Sequence, residues 1–389
     1  MSINQNKGKY AFFLGNNPNL SKAEIKSVLE LFSVEYEEIY STSSVFLIDV
    51  LNEIKVNTLQ DRLGGTIKIA KIIHSVSKPS IESEIFKLAE EKCGDEKFRF
   101  GFSLYDISRN NDFKKIGLNI KRQLKDNGAK VRFITSKDTK LSSVIVKKEK
   151  LIDSGLDVVI INDNDNYYLG YSITVQDFSG YSDRDYGRPS RDDKSGMLPP
   201  KLAKMMINLS GTSLDKIILD PFCGSGTIIQ EALLLGFNNI KGSDISDRAV
   251  RDTENNISWL ETKLDLDISN VEIKKQDVKS LTKSFNDNSI DSIITEPYLG
   301  PPHRTTKNVT SELSNLYLDS FKEFHKVLKE NGIVIFILPI IDNKESNILE
   351  DIENLGFKRI SSSDTERGSL IYSRETQRVK REIFKFEKI

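Results

Sequence analysis

The chain has 389 residues, enough for two or three ordinary domains that each bury a core without disulfides or structural metal. Its 56 Lys and Arg against 57 Asp and Glu leave a net charge of −1, which excludes a uniformly polybasic protein; 38% hydrophobic and 29% charged residues exclude a disordered one. Two cysteines, Cys93 and Cys223, exclude a disulfide framework and a cysteine-rich zinc site, and they fit a reducing compartment.

Residues 1–10 are polar, with no secretory apolar segment, and the longest apolar run, 333–338, is far too short to span a bilayer. A soluble, cytoplasmic protein is expected. A strand over 10–14 precedes a helix to about residue 32, with its start read at Ser21 because Ser21-x-x-Glu24 has capping-box spacing. Residues 44–50 alternate as a strand. A helix over 113–127 stops at Asn127-Gly128, and a strand over 130–135 follows. Residues 142–146 read as strand-like, 147–154 as a helix, and 157–161 and 167–175 as strands. This is α+β organisation.

The charge is unevenly spread. Residues 1–96 hold 11 basic against 14 acidic side chains, residues 97–150 hold 15 against 5, and the remainder is net −8. A +10 block reads either as a footprint for a polyanion or as the solvated face of Lys-rich helices. Residues 177–195 are polar and turn-rich, which suits a connection between domains.

Beyond that connection, apolar runs at 216–219, 239–242, 271–273, 290–295 and 332–338 alternate with helical stretches. That pattern predicts a parallel sheet covered on both faces. Residues 381–388 alternate apolar and charged, as an antiparallel strand added at the end would.

The sharpest motif is Asp220-Pro-Phe-Cys-Gly-Ser-Gly-Thr227, which follows the first apolar strand and opens a helix over 228–235. Glycines there let the backbone approach a ligand, and the helix start offers free N–H groups. A dinucleotide fold would want Gly-x-Gly-x-x-Gly and has no use for the leading acid. That acid suits an ammonium group, as the methionine moiety of S-adenosylmethionine presents. Asp244 ends the second strand, where a carboxylate can accept ribose hydroxyls, and Asp277 ends the third, where it can accept from the adenine amino group.

The fourth strand runs into Thr295-Glu296-Pro297-Tyr298-Leu299-Gly300-Pro301-Pro302. A carboxylate, a proline and an aromatic at such a strand end can hold a base and accept a proton from an exocyclic amine. Guanine presents N1–H and its 2-amino group side by side, both donors, whereas adenine places an acceptor beside its amine. A carboxylate therefore suits guanine. Cys223 is the sole cysteine in the second half, so a thiolate mechanism at a pyrimidine is not expected. His74, His303 and His325 are too widely spaced to form a metal constellation; His303 follows the substrate loop and reads as a turn residue.

Residues 220–227 resemble the first motif of Rossmann-fold methyltransferases of the UPF0020 type. The stretch Arg188-Pro189-Ser190-Arg191 through Met197-Leu198-Pro199-Pro200 resembles the segment entering that domain in THUMP-containing tRNA guanosine-N2 methyltransferases. Leu141-Ser142-Ser143-Val144, Tyr168-Leu169-Gly170-Tyr171 and Val175-Gln176-Asp177 are similar to the end of their THUMP domain. The resemblance implies an α/β fold. A ferredoxin-like region would occupy 1–75, a THUMP domain 76–178, a linker 179–195, and a Rossmann-like methyltransferase domain with a seven-stranded mixed sheet in the order 3-2-1-4-5-7-6 would occupy 196–389.

The resemblance implies S-adenosylmethionine as cofactor, held by Asp220, Phe222, Cys223, Gly224, Gly226, Thr227, Asp244, Ile245, Asp277 and Val278, with 196–200 closing over it through Met197 and Pro199. It implies tRNA as the partner, bound through phosphate and shape, and no resident metal; a small activating subunit or a homodimer stays open. The catalytic loop of the family reads Asp/Asn-Pro-Pro-Tyr. Here, aligning on Gly300 puts Glu296 at the acid position, and aligning on the aromatic puts Thr295 there; the chemistry favours Glu296, followed by Pro297 and Tyr298. The expected reaction is methyl transfer to the 2-amino group of a tRNA guanosine, at position 10 by resemblance. The alternatives are amino methylation of rRNA or DNA, a protein glutamine as acceptor, or an inactive cofactor- and RNA-binding scaffold.

Overall fold

The computed structural model describes residues 7–94, 97–108, 111–191, 197–301, 307–362, 367–374 and 379–389. His303, Pro302 and Gly196 lie outside the described residues. The chain forms two compact units. The first comprises Met1–Pro18, Ser33–Asp61 and Thr66–Phe178; the second comprises Asn19–Phe32, Arg62–Gly65 and Ser179–Ile389.

One sheet runs through the first unit. Its strands are β1 (Gly8–Leu14), β2 (Tyr36–Ser41), β3 (Val45–Val50), β4 (Thr66–Ser77), β5 (Phe98–Tyr105), β6 (Val131–Ile134), β7 (Leu156–Asp163) and β8 (Asn166–Val175), in the order β2-β3-β1-β4-β8-β7-β5-β6. β5 is parallel to β6 and β7, and the other pairings are antiparallel. Phe98, Phe100, Phe102 and Leu104 of β5 pack into one core with Ile85 and Leu88 from the helix Ile81–Lys92 and Phe113 and Ile120 from the helix Asn111–Asp126. Four strands also bury a polar cluster. Lys68 Nζ lies 2.7 Å from Asp157 Oδ2 and donates to Ser103 Oγ at 2.7 Å, while Ser103 and Ser172 donate to the two Asp157 oxygens at 2.7 and 2.6 Å.

Residues 142–146 are not a strand. Ser142 caps the helix Ser143–Lys148, its Oγ accepting from Ile145 N. Three consecutive apolar residues suit a short buried strand and one helical turn equally, and the capping serine decides it. The helix expected over 147–154 is this shorter one, displaced toward the N-terminus. β2, β4 and β5 lie outside the expected set of strands.

The second unit is built on β9 (Ile217–Asp220), β10 (Asn239–Asp244), β11 (Val271–Lys275), β12 (Ile290–Thr295), β13 (Leu328–Ile341), β14 (Phe357–Ile360), β15 (Leu370–Tyr372) and β16 (Val379–Lys388). The sheet order β11-β10-β9-β12-β13-β16-β14 reproduces 3-2-1-4-5-7-6, with β15 also on β16. β9 to β13 are parallel. Side chains alternate between two cores: Ile218, Ile294 and Ile335 face one with Met206 and Ile229, and Leu219, Ile293 and Phe336 face the other with Phe321 and Phe324. β16 is antiparallel to β13, with Arg381 opposite Pro339. Its first residues therefore lie at the C-terminal edge of the parallel strands.

The helix Pro18–Leu31 begins one turn before Ser21, so Ser21 and Glu24 do not form a capping box. Residues three apart share a helix face, and here that face turns to the segment Arg62–Gly65. Ser21 Oγ donates to Gly65 O at 3.0 Å, and buried Glu24 accepts from Gly64 N, Gly65 N and Asn208 Nδ2 at 2.7, 2.8 and 2.7 Å. Burial raises the Glu24 carboxyl to about 7 despite these donors.

Candidate active site

The C-terminal ends of β9, β10, β11 and β12 open into a cleft of about 600 Å³. Strand order reverses between β9 and β12, and such switch points leave a crevice that loops on either side can line. Of the residues singled out above, Asp220, Phe222, Cys223, Gly224, Thr227, Asp244, Ile245, Asp277, Val278, Met197, Glu296, Pro297 and Tyr298 line it; Gly226 and Pro199 do not. Pro199 instead caps the helix Pro200–Ser210.

Gly226, at φ 80°, starts the helix Thr227–Leu234, and a Cβ there would lie 2.8 Å from Thr253 Cγ2. Thr253 Oγ1 in turn donates to Gly224 O at 2.9 Å. A glycine is thus required where the turn crosses the neighbouring helix. Asn256 Nδ2 holds Ser225 O at 2.8 Å and Ser190 O at 2.9 Å, joining the entering segment to the turn. Arg188, buried, donates to Thr227 Oγ1 and to Met197 Sδ, each at 2.8 Å. Sequence reasoning had assigned Arg188 and Asn256 no role.

Asp220 is 2% exposed, and its Oδ1 accepts from Thr295 Oγ1 at 2.6 Å and from Phe222 N at 3.2 Å. Burial raises its carboxyl to about 7, with Asp244 and Glu296 adding to the rise. Thr295 is fully buried and donates inward to Asp220, so of the two candidates for the loop's acid position Glu296 is the one that lines the cleft. Asp244 Oδ2 accepts from Gly224 N at 3.1 Å and Oδ1 from Ser246 N at 2.9 Å, which fixes its carboxylate at the rim. Asp277 caps the turn after β11 by accepting from Lys279 N at 2.9 Å. Burial pushes the Cys223 thiol far up, which suits packing and not nucleophilic attack.

Arg381, which the sequence reading passed over, closes the far side. Its Nε donates to Glu296 Oε1 and its Nη2 to Oε2 at 3.3 Å. The signal was available: an antiparallel last strand must deliver its first residue to the C-terminal edge of the parallel strands. Tyr298 is 54% exposed, with its carbonyl accepting from Tyr317 Oη at 2.7 Å. Its ring therefore stands free while its backbone is anchored.

The residues fit S-adenosylmethionine. Five carboxylates, Asp220, Asp244, Asp252, Asp277 and Glu296, outnumber Arg248, Lys279 and Arg381 in the lining, a balance that suits a cationic ligand, and the space before Gly224 is open, with no atom nearer than 4.0 Å to a Cβ built there. In the first unit, the basic block presents exposed Lys114, Lys115, Arg122 and Lys125 along the helix Asn111–Asp126, and Lys147 and Lys148 on Ser143–Lys148.

Residues 188–354 match the family model UPF0020, described as an RMKL-like methyltransferase domain. The chain is 28% identical to the tRNA (guanine(10)-N2)-dimethyltransferase of Methanothermobacter thermautotrophicus, over 86% of this chain and 89% of that one. It is 31% identical to a Methanothermococcus thermolithotrophicus protein named "Probable tRNA (guanine(10)-N2)-dimethyltransferase", over 39% of this chain and 88% of that one. Among solved structures, TrmN from Thermus thermophilus matches with a TM-score of 0.58 at 16% identity, covering 98% and 100% of the two chains. At that identity the likeness shows the fold. No helix among the described residues is long and apolar enough to cross a membrane.

Proposed function

The chain belongs to the UPF0020-type methyltransferase family that includes the tRNA (guanine(10)-N2)-dimethyltransferases, and from that premise we infer that it methylates the 2-amino group of guanosine 10 in tRNA. The observation that carries the reading is the acidic cleft at the switch point, with the glycine turn on one side and Glu296-Pro297-Tyr298 on the other. The cofactor supplies a methyl group on a sulfonium centre.

Asp220 would hold the ammonium end of that ligand, Asp244 its ribose, and Asp277 with Ile245 and Val278 its adenine. Glu296 accepts from the guanine N1–H and 2-amino group, draws the amine lone pair out of conjugation and takes up the proton released on methylation. Pro297 fixes the loop, and the exposed Tyr298 ring stacks on the extruded base. Holding amine and donor in line supplies most of the acceleration. The basic block of the first unit grips tRNA phosphates, so binding weakens with salt. Such an enzyme works in the cytoplasm.

The test is transfer of labelled methyl to tRNA, with nucleoside analysis for N2-methylguanosine. Glu296→Ala should keep cofactor affinity within about threefold and lose at least about a thousandfold in transfer, in line with losing a general base and an orienting group together. Methylation of rRNA or DNA but not tRNA, or full activity of the variant, would overturn the assignment.

A further inference from the structure

We propose that Arg381 is a specificity residue that reads the O6 of the target guanine while Glu296 reads its N1–H and 2-amino group. The proposal rests on the guanosine reading above and goes beyond it by naming a second recognition group at the site.

Arg381 stands at the start of β16, opposite Pro339 at the end of β13, and lines the same cleft as Glu296, Pro297 and Tyr298. Its contact with Glu296 runs side-on, through Nε to one carboxylate oxygen and Nη2 to the other. A guanidinium carries five N–H groups, so this contact leaves one on Nη2 and two on Nη1 for another acceptor. Each Glu296 oxygen likewise keeps a lone pair. The side chains of Arg381 and Glu296 are only 11% and 13% exposed, so the pair is held in place and not freely solvated.

The result is a donor beside an acceptor along one wall, with Nη2 and Oε2 3.3 Å apart. The guanine edge presents O6, an acceptor, then N1–H and the 2-amino group, two donors. A guanidinium and a carboxylate set side by side complement that order. Adenine reverses the order, placing an amine against the guanidinium and a lone pair against the carboxylate, which is repulsive at both places. Two groups reading opposite signs discriminate better than a carboxylate alone, because an incorrect base sets a donor against the guanidinium and a lone pair against the carboxylate at once. Arg381 touches the base and not the methyl donor, so its share of the work is selection and orientation.

The experiment compares two tRNA transcripts, one with guanosine at the target position and one with 6-thioguanosine, which keeps N1–H and the 2-amino group but replaces O6 with the weaker acceptor sulfur. The wild-type protein should prefer guanosine by about tenfold in kcat/KM, the worth of one charge-assisted hydrogen bond. Arg381→Gln should lower kcat/KM on guanosine and bring the preference to within about twofold, and Arg381→Lys, which keeps a charged donor, should restore part of it. Cofactor binding by each variant reports its folding. A wild-type preference near one overturns the proposal without any variant. So does an Arg381→Gln protein that loses rate equally on both transcripts, which would make Arg381 only a brace for Glu296 or a phosphate contact. A wild-type protein that transfers no methyl to tRNA guanosine sinks the underlying reading instead, and this proposal with it.

Discussion

Lys68–Asp157 in the first unit and Arg381–Glu296 in the second are built from the same chemistry and differ in closure. The Lys68 and Asp157 side chains are 2% and 0% exposed, and each carboxylate oxygen also accepts from a serine, Oδ1 from Ser103 and Oδ2 from Ser172. Phe13 and Tyr105 rings lie within 5.7 Å of the ammonium. The pair is shut off from solvent. The Arg381–Glu296 pair keeps donors and lone pairs unused and lines a cleft. A closed buried pair defines strand registry, whereas an open one is available for recognition.

Breaking the closed pair should have the largest effect on stability. Asp157→Ala leaves a buried ammonium without its counter-ion and should cost roughly 3–5 kcal/mol, read from denaturant unfolding. Arg381→Gln should cost no more than about 1–2 kcal/mol, because the cleft admits water to Glu296. Equal costs would erase the distinction between the pairs.

The carboxyls raised by burial give a pH signature. Asp220 and Glu24 both rise to about 7 in the folded protein. A carboxyl whose folded pKa exceeds its unfolded one binds its proton more tightly in the folded state. Its contribution to ligand-free stability is therefore present below the unfolded pKa and is lost as pH rises to about 7. A cationic cofactor favours ionised Asp220, so affinity should rise about tenfold per pH unit up to about 7 and then level off. Calorimetric titration across that window checks this, and Asp220→Asn should flatten the profile.

Gly226→Ala forces a methyl group against Thr253 at a positive φ and should weaken cofactor binding by about five- to tenfold, measured at equilibrium. The smallest effects belong to the basic block. Lys114→Ala or Arg122→Ala should each weaken tRNA binding only a few-fold and reduce the slope of log affinity against log salt by about one.

Much of the second unit was legible in the sequence. The five runs read as strands fell on β9 to β13; β9, β12 and β13 read as apolar because the inner strands are covered on both faces, while edge strand β11 carries Glu272 and Lys274, and the acids at the strand ends fell around one cleft because parallel strands end on one side. The first unit was harder to read. β4 carries Lys68, Lys71 and His74 along its length, and Lys68 is tolerated only because Asp157, 89 residues away, meets it. Ser21 and Glu24 misled for the same reason: their spacing fixes a shared helix face, but not whether that face serves its own backbone or the distant Gly64 and Gly65.

The sequence alone determined the alternation of strands and helices in the second unit and the residues of the glycine turn, since periodicity, turn chemistry and motif spacing are local; the strand order came only from the family resemblance. Only the tertiary structure decided which charges are partners. Arg381 and Glu296 are 85 residues apart in the chain and meet because β16 runs against β13. The alternation over 381–388 marks the strand but not which acid Arg381 meets. That meeting is set by strand order and direction, which arise when the sheet closes around its core.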